Sequence, residues 1–314
     1  MKSKTIVVII LLSIVLYSMN LNKQLVVARS RNSEDNIIAP DGLIQHSPIR
    51  IISDENLTAF NFPGLGTESH PYLIRNLNIT TNERAGLYIS KTTKHIIVYN
   101  CYIDALKYGI EIVNVTDGTL LITENTLKNN KYYGTFVWKT GSSNFSYNNY
   151  INNGDGLTIF YADKTFISNN TCVKNTNYGI YLSRSKSCNV TYNVLKENEH
   201  YGVVLGRYTE FCAVHHNYFI NNNVGGTSQA YDHGSNNVFY DLETNEGNWW
   251  NDWFEGFYDI DGNTMAVDFY PLGEIPTEEN INKTTYNLLS FLVFFPAITI
   301  LYVFQKANKR TREK

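Results

Sequence analysis

Through the middle of the chain, apolar and polar residues alternate in short runs such as Ile96-Ile-Val-Tyr and Gly179-Ile-Tyr-Leu. These runs are too short and too rich in β-branched residues for helices, so the pattern predicts strands only a few residues long. The pattern repeats. Six segments share the form Gly-x-x-aliphatic, beginning at Gly86, Gly109, Gly134, Gly156, Gly179 and Gly202, with steps of 23, 25, 22, 23 and 23 residues, and Gly226 follows 24 later. A second ladder runs through Asn100, Asn125, Asn149, Asn170, Asn193 and Asn217. A third register lies five residues further on, at Asn130, Asn175, Asn198 and Asn222.

Three short strands and three turns in each repeat of about 23 residues describe one coil of a parallel β-helix. Glycine supplies special backbone angles at one corner, and Asn both tolerates left-handed φ and can stack its amide on the Asn of the next coil. A leucine-rich repeat would need a Leu/Asn consensus, and a helical repeat apolar spacing at i, i+3 and i+4. Neither is present. The chain holds 40 Asn among its 314 residues, a proportion that ordinary helices and strands disfavour. Corner ladders account for it.

The two ends follow a different pattern. Lys2 and Lys4 precede the apolar run Ile6 to Tyr17, which reads as a signal peptide or an N-terminal anchor over residues 1–21. Leu288 to Phe304 is uninterruptedly apolar, and Lys306, Lys309, Arg310, Arg312 and Lys314 follow it. That predicts a transmembrane helix over 286–305 with a basic cytoplasmic tail, 306–314, and the rest of the chain outside the membrane. Seven Asn-x-Ser/Thr sequons, at Asn56, Asn78, Asn114, Asn144, Asn169, Asn189 and Asn282, agree with an extracytoplasmic surface but arise easily in Asn-rich sequence. The net charge of −3 averages two unlike regions. Residues 22–240 carry 18 basic and 17 acidic residues, whereas 241–285 carry 11 acids against Lys283 alone. No basic excess marks a nucleic-acid footprint.

The entry segment from Pro48-Ile-Arg-Ile-Ile to Asn76-Leu-Asn-Ile79, the Gly ladder, and the exit Gly247-Asn-Trp-Trp-Asn-Asp-Trp253 with Asp259-Ile-Asp-Gly-Asn263 together resemble right-handed parallel β-helix repeat proteins, more narrowly the NosD type. The resemblance spans about residues 48–272. It implies an all-β, right-handed parallel β-helix of about seven coils over 48–240. A lead-in (22–47), an aromatic and acidic cap (241–272) and a juxtamembrane linker (273–285) complete the expected organisation. It says little about activity, because this scaffold hosts lyases, hydrolases, epimerases and inert stalks alike.

Register arithmetic selects the outward columns. Two residues after each glycine stand Tyr88, Glu111, Phe136, Thr158, Tyr181 and Val204, with Trp138 and Phe160 two further on. These aromatics suit the flat faces of sugar rings, although cross-strand stacking alone also explains them. Five after the glycine stand Lys91, Asn114, Lys139, Tyr161, Arg184 and Arg207. Arg184 and Arg207 are therefore expected about 4.8 Å apart, where a bound anion would relieve their repulsion. Glu111 and Asp155 are acids in different registers two coils apart, a weak basis for a hydrolase pair. Asp259, Asp261, Asn263 and Asp268 are hard oxygen donors on a turn-rich segment that could hold Ca2+ or simply cap the last coil. Cys188 and Cys212 share a register on adjacent coils and form the disulfide candidate; Cys101 and Cys172 are expected as buried thiols. Copper needs imidazole or soft ligands, but the histidines are dispersed, and adjacent His215 and His216 are expected on opposite faces of a strand. The reading favours a membrane-anchored cell-surface module that binds glycan or a surface protein without catalysis. A carbohydrate-active enzyme is the alternative, and NosD-like metal handling comes third.

Overall fold

A computed structural model describes residues 42–273 of the chain. Three parallel sheets run the length of a β-helix. Sheet I has nine strands, from Ile44–Gln45 to Trp249–Trp250; sheet II has nine, from Ile49–Ile51 to Asp261–Gly262. Sheet III has seven, from Tyr72–Arg75 to Ala213–His215. Each complete coil passes through sheets III, I and II in turn, so there are seven complete coils between partial ones. The last strands of sheets I and II lie in the segment expected as a cap, so the parallel ladder runs further than residue 240. The apolar ends, 1–21 and 286–305, fall outside the described residues, within which no helix is long and apolar enough to cross a membrane.

The interior is built from files of side chains in strict register. In sheet I, Ile79, Ile103, Leu127, Tyr150, Cys172, Leu195, Phe219 and Trp250 lie one above the other. Sheet III stacks Ile74, Val98, Ile122, Phe145, Ile167, Val190 and Val214 in the same way. All are buried. A one-residue slip would turn any of these strands inside out, so the apolar files hold the register.

At the corners the polar residues do the corresponding work. Among the described residues, 27 non-glycine positions have positive φ, of which 11 are Asn and 16 are not. Lys174, Tyr192, Glu197 and His216 adopt the same angles as Asn169 or Asn152. Left-handed geometry therefore explains only part of the Asn excess. As many Asn again, 11, form buried rungs, nearly all of them one residue after a left-handed position. Asn125, Asn148, Asn170, Asn193, Asn217 and Asn248 are fully buried and form one continuous ladder. The Asn170 Oδ1 accepts from the Asn148 backbone N–H at 3.0 Å and from its Nδ2 at 3.0 Å, while Asn170 Nδ2 donates to the carbonyls of Phe145 and Ser168. A second ladder runs through Asn130, Asn153, Asn175, Asn198 and Asn222 to Gln229. Asn100 and Asn149, expected as rungs, are exposed; Cys101 and Asn148 take those places.

Each end is closed. Helix α1, Asp54–Ala59, buries Leu57 under the first coil, with Ser53 capping it through a hydrogen bond from the Asn56 N–H. At the other end Phe219, Trp250 and Tyr258 stack at centroid spacings of 4.0 and 3.9 Å. An antiparallel pair, Tyr258–Asp259 with Val267–Asp268, then ends the solenoid.

Adjacent Asn169 and Asn170 separate the two roles of Asn. Asn170→Ala is expected to destabilise by about 3–5 kcal/mol, since it orphans buried backbone groups on two coils. Asn169→Ala, which only strains a left-handed corner, should cost about 1 kcal/mol. Urea denaturation of both variants checks this, and equal costs would refute the distinction.

Candidate functional site

The residue before each repeating glycine also points outward from sheet II. Tyr108, Tyr133 and Asp155 are direct neighbours along it. The sequence signal is a recurring Tyr-Gly pair, at 108, 133, 178 and 201, which the column arithmetic above passed over. A further outward column therefore runs on the long strands of sheet II, beside those the register arithmetic selected.

Their rings touch. Tyr108 meets Tyr133 at 5.5 Å and Phe136 at 5.9 Å, and Tyr133 meets Phe136 at 5.2 Å. Phe136 meets Phe160 at 6.0 Å, and Phe160 meets both Trp138 and Tyr181. Tyr181 stacks on Tyr178 at 5.6 Å. The result is one half-buried aromatic shelf across four coils, about 14 Å along the axis. Of the aromatic positions expected here, Phe136, Trp138, Phe160 and Tyr181 are brought together. Tyr88 stands apart, with the Arg50 guanidinium 4.5 Å over its ring.

Cations fringe the shelf. Arg84 lies 4.9 Å over Tyr108, and Lys107 and Lys131 lie over Tyr132. Lys139 is exposed at the left-handed corner that follows Trp138. Arg184 sits at the equivalent corner of a later coil, its guanidinium between the rings of Tyr161 and Tyr208 at 5.4 and 4.7 Å. On the next coil the left-handed position falls to Tyr208, and exposed Arg207 precedes it. The step there is 24 residues, one more than the register arithmetic used. The Arg184 guanidinium thus meets an aromatic face, while its backbone N–H donates to the Arg207 carbonyl at 3.1 Å, so the two residues are neighbours as expected.

Two carboxylates are sunk in this surface. Glu111 is 4% exposed and Asp155 6%. Burial pushes both above the ordinary carboxylate range. For Glu111 the opposing influence is Arg84, whose Nη2 lies 2.6 Å from Oε1, and then Arg50. For Asp155 it is a set of hydrogen bonds, led by the Thr158 hydroxyl donating to Oδ2 at 2.6 Å. Their strands are separated by the strand Tyr133–Trp138, so the two lie at least about 9.6 Å apart along the axis. They share a face but do not meet as a pair.

The other candidates lie elsewhere. Asp268 is fully buried, and its Oδ2 accepts from the Asn248 N–H at 2.7 Å and the Trp250 indole at 3.0 Å. It ends the first Asn ladder, since a carboxylate accepts these donors and asks nothing of a further coil. Asp261 accepts from the hydroxyls of Thr227 and Tyr201. Asp259 and Asn263 are exposed. The four do not converge on one point, and the protein hydrogen bonds of Asp261 and Asp268 occupy the oxygens a calcium ion would use.

Cys188 and Cys212 do share a register, as expected, but all four cysteines are free thiols. The Cys188 N–H donates to the Cys212 sulfur at 3.3 Å, and the Cys212 N–H donates to Asn237 Oδ1. The two sulfurs act as corner rungs, the place that Asn fills elsewhere, and not as a cross-link.

Residues 50–151 and 139–241 match the family described as "Right handed beta helix region". The chain belongs to that family. Two solved structures are similar in shape, both of the periplasmic alginate epimerase AlgG. The double mutant is 20% identical with a TM-score of 0.47, over 55% of this chain and 39% of that one. A single mutant is 17% identical with a TM-score of 0.46, over 70% of this chain and 58% of that one. This chain therefore spans between two fifths and three fifths of theirs. No curated protein matches the sequence.

Because burial raises the Asp155 pKa, the ionised form is penalised in the folded state. Its adverse effect on stability is absent below the unfolded value near 3.9 and grows as pH rises through the folded one. Asp155→Asn should therefore melt higher than the parent at pH 7, with the gap closing towards pH 3. A gap independent of pH in thermal melts would contradict a buried, titrating carboxylate.

Proposed function

We propose that the outward face of sheet II binds polysaccharide, and that the chain is a cell-surface module displaying this face. The observation that carries the reading is the continuous ring network from Tyr108 to Tyr178, fringed by Arg84, Lys107, Lys131 and Arg184. Rings held half-buried on rigid strands lose little freedom on binding, and a row of them matches the repeating apolar faces of a glycan chain. The exposed fringe is basic while the acids are sunk, which favours a carboxylate-bearing glycan over a neutral one. Surface display rests on the apolar and basic ends of the chain.

A second reading has its own support in Asp155. A carboxylate whose hold on its proton is strengthened by burial, on a face lined with Tyr133 and Tyr178, is the type of group that serves as a general acid. In that reading bound polysaccharide is cleaved or epimerised, and Glu111 with Arg84 only positions it.

Titrating the full-length chain with an acidic polyuronate and with a neutral glucan, read by tyrosine and tryptophan fluorescence, separates the possibilities. Binding of the polyuronate that falls at least tenfold, about 1.4 kcal/mol, in Trp138→Ala and in Tyr181→Ala is the expected result. New reducing or unsaturated ends, or a changed uronate configuration, that vanish in Asp155→Asn would replace the binding reading by the catalytic one. No binding of either glycan would defeat both.

A further inference from the structure

His215 ends the strand Ala213–His215, and His216 follows it with φ 57°. In an extended strand neighbouring side chains point to opposite faces, the expectation stated above. The left-handed residue cancels that alternation and swings both rings to one side of the corner. Their Nδ1 atoms come within 2.6 Å of each other, and the ring centroids within 4.9 Å. Two imidazole nitrogens at that distance share a single proton, which a cation could replace only if they moved apart.

The surroundings are built around them. Asp241 places Oδ2 3.8 Å from His215 Nδ1. Its other oxygen accepts from the N–H groups of Glu243 and Thr244, at 2.8 and 3.3 Å, which holds the carboxylate in that orientation. Glu246 Oε2 lies 2.8 Å from His216 Nε2. That contact keeps the proton on Nε2 and leaves the Nδ1 lone pair facing His215. The Tyr192 ring stacks on His216 at 4.9 Å. One donor atom from each of His215, His216 and Asp241 lies within 4.8 Å of the other two, and this is the one such His/Cys/Asp/Glu group among the described residues.

We propose that His215 Nδ1, His216 Nδ1 and Asp241 Oδ2 form a binding site for a zinc-class divalent ion, with Glu246 orienting His216 from behind. Two imidazoles and one carboxylate are the donor set of three-ligand zinc sites, which keep a fourth position for water or an exchangeable ligand. Tetrahedral bonds of about 2.0–2.1 Å require donors about 3.3–3.5 Å apart. The nitrogens must therefore open by about 0.8 Å and the carboxylate close by about 0.4 Å, both within reach of small side-chain rotations. On binding, the proton between the rings leaves His215 Nδ1, and the neutral ring carries it on Nε2 instead, so both histidines ligate uncharged. Calcium and magnesium prefer all-oxygen sets and fit poorly. A carboxylate behind a metal-bound histidine is worth about 10–100-fold in affinity, which gives Glu246 a measurable part.

The full-length chain, stripped with chelator and titrated with zinc chloride by calorimetry, tests this. One ion per chain is expected, with a dissociation constant of about 1 μM or tighter. His216→Ala and Asp241→Asn should each weaken it at least tenfold, and Glu246→Gln should weaken it while keeping the stoichiometry. His70→Ala, at the far end of the rod, should change nothing. Cobalt in place of zinc reports geometry independently, with intense tetrahedral visible bands in the parent that are lost in Asp241→Asn. Melting temperatures measured without metal separate loss of the site from loss of the fold. Zinc binding that is absent, or equally tight in Asp241→Asn and His216→Ala, or outcompeted by equimolar calcium, would overturn the assignment.

Discussion

Every coil of this protein rests on a buried amide that takes its neighbour's backbone N–H. At a solenoid corner the chain leaves one sheet and enters another, so the backbone polar groups there have no strand partner. A buried Asn resolves this from both sides. Its Oδ1 accepts from the backbone and side chain of the rung in the preceding coil, and its Nδ2 donates to carbonyls that the turn would leave unpaired. Since each rung needs the next, the ladder stops either at a group that accepts without donating or at one whose own donors find acceptors outside the ladder. Asp268 is that group at one corner, and Gln229, tied to Asn251, Asp252 and Tyr258, ends the other.

The rigidity that the ladders confer is what permits the aromatic face. Gly109, Gly134, Gly156 and Gly179 approach the carbonyl of the next glycine so closely that a Cβ would lie 2.5–2.6 Å from it. With the glycine and the residue after it both turned inward, the tyrosine before it is left facing out beside the next outward column. The two-column shelf of rings follows from that local break in alternation. Burying Glu111 and Asp155 within it costs stability, which Arg84 and the Thr158 hydroxyl offset only in part.

The acidic segment after residue 240 plays several parts. Asp268 is structural, Asp261 is held by hydroxyls, and Asp241 and Glu246 turn back on the rod to meet two histidines. Sequence patterning placed metal chemistry further along this segment, at Asp259 to Asp268, and treated the histidines as scattered. The difference lies in one backbone angle at His216, to which the hydrophobic pattern is blind because left-handed corners here accept almost any side chain.

Strand length, coil period and the identity of the apolar files were all legible in the sequence, because inward positions on a solenoid must be apolar and must recur once per coil. The Gly-x-x-aliphatic steps and the Asn excess led directly to the β-helix, even though two rungs were placed one residue out of register. What the linear pattern did not contain was how side chains from different coils meet at the surface. Tyr208 standing where Arg207 was expected, two thiols serving as rungs rather than a disulfide, and the convergence of His215, His216 and Asp241 each depend on a single-residue shift or a single φ. Burial constrains residue type strongly inside the rod and weakly outside it. The sequence by itself therefore determined the scaffold, and only the tertiary structure decided which outward groups touch.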